Sequence, residues 1–281
     1  MNSLTRAIVG KYDESPVGAA HSMLSLAALV AEMQDQGVSA EALLRGTGLA
    51  PGWLNDPQAG MSLAQKIVVY GNAQRLSTRP DLGLRAGARQ RLSDFGVYGY
   101  ALASSPTFGD AVALGVRHVK LAGPVIEKRF RVQGDTAVFE GRDMQALGDL
   151  LPLVTEYWFS SVLRLATCVL EAPVPSRLLR LPYARPAHAA AYEQAFGCPA
   201  EFDAGVLEWH FDAAVLSAPC PNANPITAQL CAQMCERLLR SLPDESALER
   251  SIRTACFNSC GDFPALEDMA RRLGLSARTL Q

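Results

Sequence analysis

Val125-Ile-Glu-Lys-Arg-Phe-Arg-Val132, then Gln133-Gly134-Asp135, then Thr136-Ala-Val-Phe-Glu-Gly141 is the stretch that decides the fold. Two runs rich in β-branched and aromatic residues flank a Gly-Asp turn, and the pattern predicts a β-hairpin. Everything before it reads as helix. Ser22 to Met33 carries Met23, Leu26, Ala27 and Val30 at helical spacing, Gly37 ends that run, and Ser39 is a natural N-cap for a second short helix. Met61 to Leu76 is amphipathic, and Thr107 with Asp110 resembles a capping box in which Asp replaces Glu or Gln. After the hairpin the elements mix. Leu150 to Leu170 reads as a long apolar helix, Leu178 to Pro182 as a strand, Ala187 to Phe196 as a helix, and 200–203 and 206–211 as strands. The body is therefore α+β and closes near Val215. A helix from Ile226 to Leu242 follows, then a break at Pro243, then an all-helical tail.

Composition supports a folded chain. Of 281 residues, 49% are hydrophobic and 19% charged, enough apolar surface for one large domain or two ordinary ones. The formal net charge of −2 excludes a chain that is polycationic throughout but leaves room for a local DNA-reading surface. No stretch reads as a transmembrane helix. Residues 15–31 lack charge, yet Pro16, Gly18, His21, Ser22 and Ser25 dilute the run. Asp13 and Glu14 sit where a signal peptide is positive, so the expected location is the cytoplasm, with no membrane partner. Seven cysteines, an odd number, read as reduced thiols packed like small hydrophobes.

The tail carries the sharpest signal. In Ala265-Leu-Glu-Asp-Met-Ala-Arg-Arg-Leu273, residues Leu266, Met269, Ala270 and Leu273 fall on one helical face. Pro264 suits the helix start and Gly274 the turn after it. Leu275 and Leu280 then bracket Ser276 as a hydrophobic staple around an N-cap. The pattern is helix, tight turn, second helix, with Arg278, Thr279 and Gln281 on the surface of the second. Any two short helices joined by a glycine turn share that spacing.

The stretch Phe263 to Gln281, and within it Leu273-Gly-Leu-Ser-Ala-Arg-Thr-Leu280, resembles the first helix-turn-helix of the AraC/XylS family of bacterial transcriptional regulators. The strings Phe95-Gly-Val-Tyr-Gly-Tyr-Ala-Leu-Ala-Ser-Ser-Pro-Thr-Phe-Gly-Asp-Ala111, Phe196-Gly-Cys-Pro-Ala-Glu-Phe-Asp203 and Leu216-Ser-Ala-Pro-Cys-Pro-Asn-Ala-Asn-Pro225 resemble the sensing domain of its arabinose-binding subgroup. The resemblance runs from about His21 to Gln281. It implies a leader at 1–20, a ligand-sensing α+β domain at 21–217, a linker or dimerisation helix at 218–243, and an all-α helix-turn-helix region at 244–281. It also implies that the second helix-turn-helix of the family is missing, the first recognition helix being cut at Gln281. Binding of promoter DNA is then expected of the complete protein only. The implied partners are a small-molecule effector, promoter DNA and a second copy of the chain. Phosphate contacts are expected from Arg271 and Arg272, and base-edge contacts from the helix carrying Ser276, Arg278, Thr279 and Gln281.

Other constellations are weaker. Cys231 with Cys235 and Cys256 with Cys260 sit four apart and could be drawn as a thiolate zinc site, but continuous amphipathic helices suit packed thiols better. His21, His118, His188 and His210 have no metal-ligand spacing, and no metal or cofactor is expected. Nucleophile-elbow, Walker and dinucleotide motifs are absent from the sequence, so no catalytic residue is proposed and an enzyme reading has nothing specific beneath it. The alternatives are a small-molecule-binding enzyme with a helical appendage, or an oligomerisation module using 226–242. For an effector pocket, apolar walls with a few polar anchors, the candidates by chemistry are Tyr98, Tyr100, Arg117, His118, Glu156, Tyr157 and Trp158.

Overall fold

The computed structural model describes residues 21–55, 60–241, 265–272 and 276. Ahead of the hairpin the elements are helices α1 (Ala27–Asp35), α2 (Ala40–Leu44), α3 (Leu63–Leu76), α4 (Leu82–Ala88), α5 (Gly96–Ala103) and α6 (Phe108–Arg117), with a two-residue strand pair, β1 (His21–Ser22) and β2 (Gly60–Met61). Local caps set the starts. The Ser39 hydroxyl accepts from the Ala42 amide, Ser62 and Gln65 close a capping box on α3, and Thr107 and Asp110 close one on α6.

The hairpin forms as β3 (Glu127–Gln133) and β4 (Thr136–Arg142) around Gly134, whose φ of 62° is the left-handed value a tight turn requires. With β5 (Ser176–Arg180), β6 (Ala200–Glu201) and β7 (Leu207–Asp212) it builds one sheet in the order β3-β4-β7-β5-β6, antiparallel except for β5–β6. Alternation separates the two faces. Phe130, Phe139 and Trp209 share one face with Phe211, ring against ring at 4.9 to 6.2 Å. The other face carries a row of charge, Arg129, Glu140, Glu208 and Arg180 in register.

Helix α7 (Leu151–Leu170) lies against the aromatic face, with Phe159 edge-on to Trp209 and, through α8 (Ala189–Phe196), Phe196 against both rings. It is long and apolar enough to cross a membrane, and 67% of its most apolar window is buried within the fold. Two glycines let α4 reach it. A Cβ on Gly83 would lie 2.5 Å from the Glu156 Cβ, and one on Gly87 2.6 Å from the Ser160 Cβ. Backbone therefore meets side chain directly at this crossing.

Helix α9 (Pro225–Ser241) packs on α5 through buried Cys231 and Cys235, and its other side leaves Ile226, Leu230 and Met234 exposed at steps of four. The two cysteines are thus packed thiols, while Cys256 and Cys260 lie outside the described residues. Of the tail, Leu266–Arg272 is helix α10, with Met269 and Ala270 buried. The expected second helix lies outside the described residues except for Ser276.

Candidate ligand-binding site

A cavity of about 150 Å³ opens between α3, α5, α6 and α7 on one side and β3 and β4 on the other. Its walls are mostly hydrocarbon: Leu102, Val112, Val116, Ile126, Phe139 and Val169 are typical. Side chains that a core does not ordinarily need interrupt them. Lys66 comes from α3 and Lys128 from β3, and the described lining holds no carboxylate. The Lys66 ammonium donates to the Ser25 hydroxyl at 2.9 Å and to the Gly123 carbonyl at 2.6 Å. Burial, reinforced by the nearby Lys128 charge, lowers its pKa to about 7. The Lys128 ammonium stands 5.2 Å above the Trp158 ring, a cation–π contact, and burial brings its pKa to about 7 as well.

One glycine arranges this pair. Gly141 is the cross-strand partner of Lys128, and a Cβ there would meet both Trp158 and Leu207 at 2.6 Å. The vacant position lets the indole settle onto the sheet beneath Lys128. The indole Nε1 and the Ser161 hydroxyl, one turn further along α7, are buried without a hydrogen-bond partner among the described residues. Both belong to residues lining the cavity.

The sequence candidates divide. Tyr98, Tyr157 and Trp158 line the cavity. The Tyr98 hydroxyl donates to the Gly115 carbonyl, and the Tyr157 hydroxyl bonds the Ser25 carbonyl and the Gln90 side chain. Burial drives both phenols above the ordinary tyrosine range. The other four stand elsewhere. Tyr100 is 60% exposed because α5 turns it outward, two positions from Tyr98 and so about 200° round the helix. Arg117 is exposed at the end of α6, and the buried His118 caps that helix through Nδ1 and the Leu114 carbonyl, off the cavity wall. Glu156 lies on the opposite face of α7, accepting from Tyr192 at 2.5 Å and bonded to His188 at 2.6 Å, so it anchors α8. That bond raises the His188 pKa.

Lys66 and Lys128 were missed as candidates, yet the signal was present. Lys66 falls in register with Leu63, Tyr70 and Ala73 on the apolar face of its helix, and Lys128 shares the period-two face of buried Ile126 and Phe130. Of the expected DNA-contacting residues, Arg271 is exposed on α10 and pairs with Asp268 at 3.1 Å, and Ser276 is exposed. Arg272 ends α10, its side chain outside the description, and Arg278, Thr279 and Gln281 lie outside the described residues.

A largely apolar cavity with a few polar anchors has the character of a small-molecule site. Residues 37–220 match the family described as the arabinose-binding domain of AraC transcription regulators, N-terminal. The chain is 30% identical over 269 residues to the ornithine utilization regulator of Pseudomonas aeruginosa, spanning 95% of this chain and 77% of that protein. It is 24% identical over 281 residues to an uncharacterized HTH-type transcriptional regulator of Mycobacterium tuberculosis, covering 95% of this chain and 79% of that one. The fold is similar to that of the transcriptional regulator CdpR from Pseudomonas aeruginosa, with a TM-score of 0.54 at 20% identity over 92% of this chain and 77% of that one. The chain belongs to the AraC-type transcriptional regulators with an arabinose-binding-type N-terminal domain.

Proposed function

We propose that the cavity is the effector site of this regulator and that its occupancy is transmitted through α9 to a DNA-binding tail. The observation that carries the reading is the cavity's placement. Its wall includes α5 and the turn Val119–Ala122, and both pack against α9. A ligand that favours one arrangement of those walls biases the helix leading to the tail. In this reading residues 21–217 sense, 218–243 link, and 244–281 form the helix-turn-helix. Arg271 and Arg272 meet phosphates, and Ser276, Arg278, Thr279 and Gln281 meet base edges. The stripe Ile226, Leu230 and Met234 pairs with a second copy of the chain, because exposed apolar residues at steps of four form a seam that a partner helix can cover.

The regulator names borne by the relatives argue against the alternative of an enzyme with a helical appendage. One relative's name raises ornithine as an effector class. A cavity whose described lining has two lysines and no carboxylate is a poor host for a second pair of ammonium groups.

The test uses promoter DNA and the intact regulator. Filling the cavity with Ala166→Trp should abolish effector-dependent change in promoter output while DNA binding persists. Undiminished response in a folded Ala166→Trp variant would place the effector site elsewhere.

A further inference from the structure

A buried ammonium group and a half-buried one in one apolar chamber are costly unless an anion meets them. Lys66 has three donors, of which two go to neutral oxygens, and Lys128 has no hydrogen-bond acceptor among the described residues. The Trp158 Nε1–H and the Ser161 hydroxyl are buried within the same wall without a partner among the described residues. The chamber thus offers the donors of two lysines, surrounded by hydrocarbon. A structural core would more cheaply carry leucine or methionine at these positions.

Resting on the effector-site reading above, we infer that the ligand is an apolar monocarboxylate, its carboxylate held between Lys66 and Lys128 and its hydrocarbon part against Leu102, Val116, Phe139 and Val169. A cavity of about 150 Å³ fits a ring or a short acyl chain, since an apolar void of about that size accommodates benzene. Sugars have too many hydroxyls for these walls, and amines meet like charge. The bound carboxylate also joins α3 to β3, and Gly123, whose carbonyl Lys66 already holds, adjoins the turn that packs on α9. Occupancy thereby tightens the part of the wall that touches the linker helix.

Octanoate and phenylacetate are compared with octanamide, phenylacetamide and octylamine by thermal shift and by titration calorimetry at pH 8 in two buffers of different ionisation enthalpy. The acids should raise the melting midpoint by several degrees and take up protons on binding, because the carboxylate recharges the lysines. Lys66→Met and Lys128→Met should each weaken acid binding about tenfold or more while remaining folded, as judged by a cooperative melt. Amides that bind as well as the acids, with no proton uptake and no dependence on either lysine, would overturn the carboxylate assignment and leave the cavity as an effector site for a neutral ligand. Silence toward all five probes would overturn it too, and the Ala166→Trp experiment then decides separately whether the cavity is the effector site at all.

Discussion

At the scale of single residues the decisive groups are the two cavity lysines, and they impose a pH signature. Each has its folded pKa lowered to about 7 from 10.5, so between those values the unfolded chain binds more protons than the folded one. Stability of the ligand-free protein must therefore rise as pH climbs through that interval. For the buried Lys66 the slope approaches about 1.4 kcal/mol per pH unit. Neighbouring titrations bound the useful window. His188, raised by Glu156, contributes stability that is complete below pH 6.5 and fades as pH passes its raised value. Tyr70, Tyr98 and Tyr157 around the cavity, and the buried thiols of Cys198 and Cys235, are raised too, so they begin to oppose the lysines above about pH 9. The melting midpoint should accordingly increase from pH 7.5 to 9 in the native protein. Lys66→Met should be more stable at pH 7.5 and show a flatter profile, and an equally steep profile in that variant would remove Lys66 as the source.

At the scale of elements two contacts invite measurement. The α4–α7 crossing depends on Gly83 and Gly87, where an added Cβ would collide with the backbone and Cβ atoms of α7 rather than with a flexible side-chain tip. Gly87→Val should cost about 1–3 kcal/mol in urea unfolding, as overpacking does, and a neutral result would mean that the helices can separate freely. Helix α9 is the second. Its inner face is committed to α5 through Cys231 and Cys235, leaving Leu230 and Met234 outward. The seam proposed above predicts a dimer for the native chain and a monomer for the double variant Leu230→Glu, Met234→Glu by light scattering, with the melt unchanged. A dimer that survives the double change is held together elsewhere.

At the scale of the whole molecule, sensing and DNA reading should separate. In the intact regulator, Arg278→Ala should weaken promoter binding by about tenfold or more, as the loss of a base contact does, with the thermal response to ligand retained. Loss of both together would point to misfolding instead. The local elements are legible in the sequence. Capping residues Ser39, Thr107 and Asp110, the Gly134 turn and the apolar run of α7 are local signals, written within a few residues of where they act. The α+β body and the family follow from such strings. The cavity was legible only in part. Tyr98, Tyr157 and Trp158 stand out as aromatics in apolar runs and line the cavity, whereas Glu156, in the same run as two of them, faces the other way. Lys66 and Lys128, 62 positions apart by their numbering, carry no mutual signal in the chain. What the sequence determined by itself was the period of each element and the chemistry of each cap, because those depend on neighbours within one or two turns. Which faces of α3, α7 and β3 come together was decided by tertiary packing. The Gly141 gap that seats Trp158 beneath Lys128 exists only once the strand has been laid against the helix.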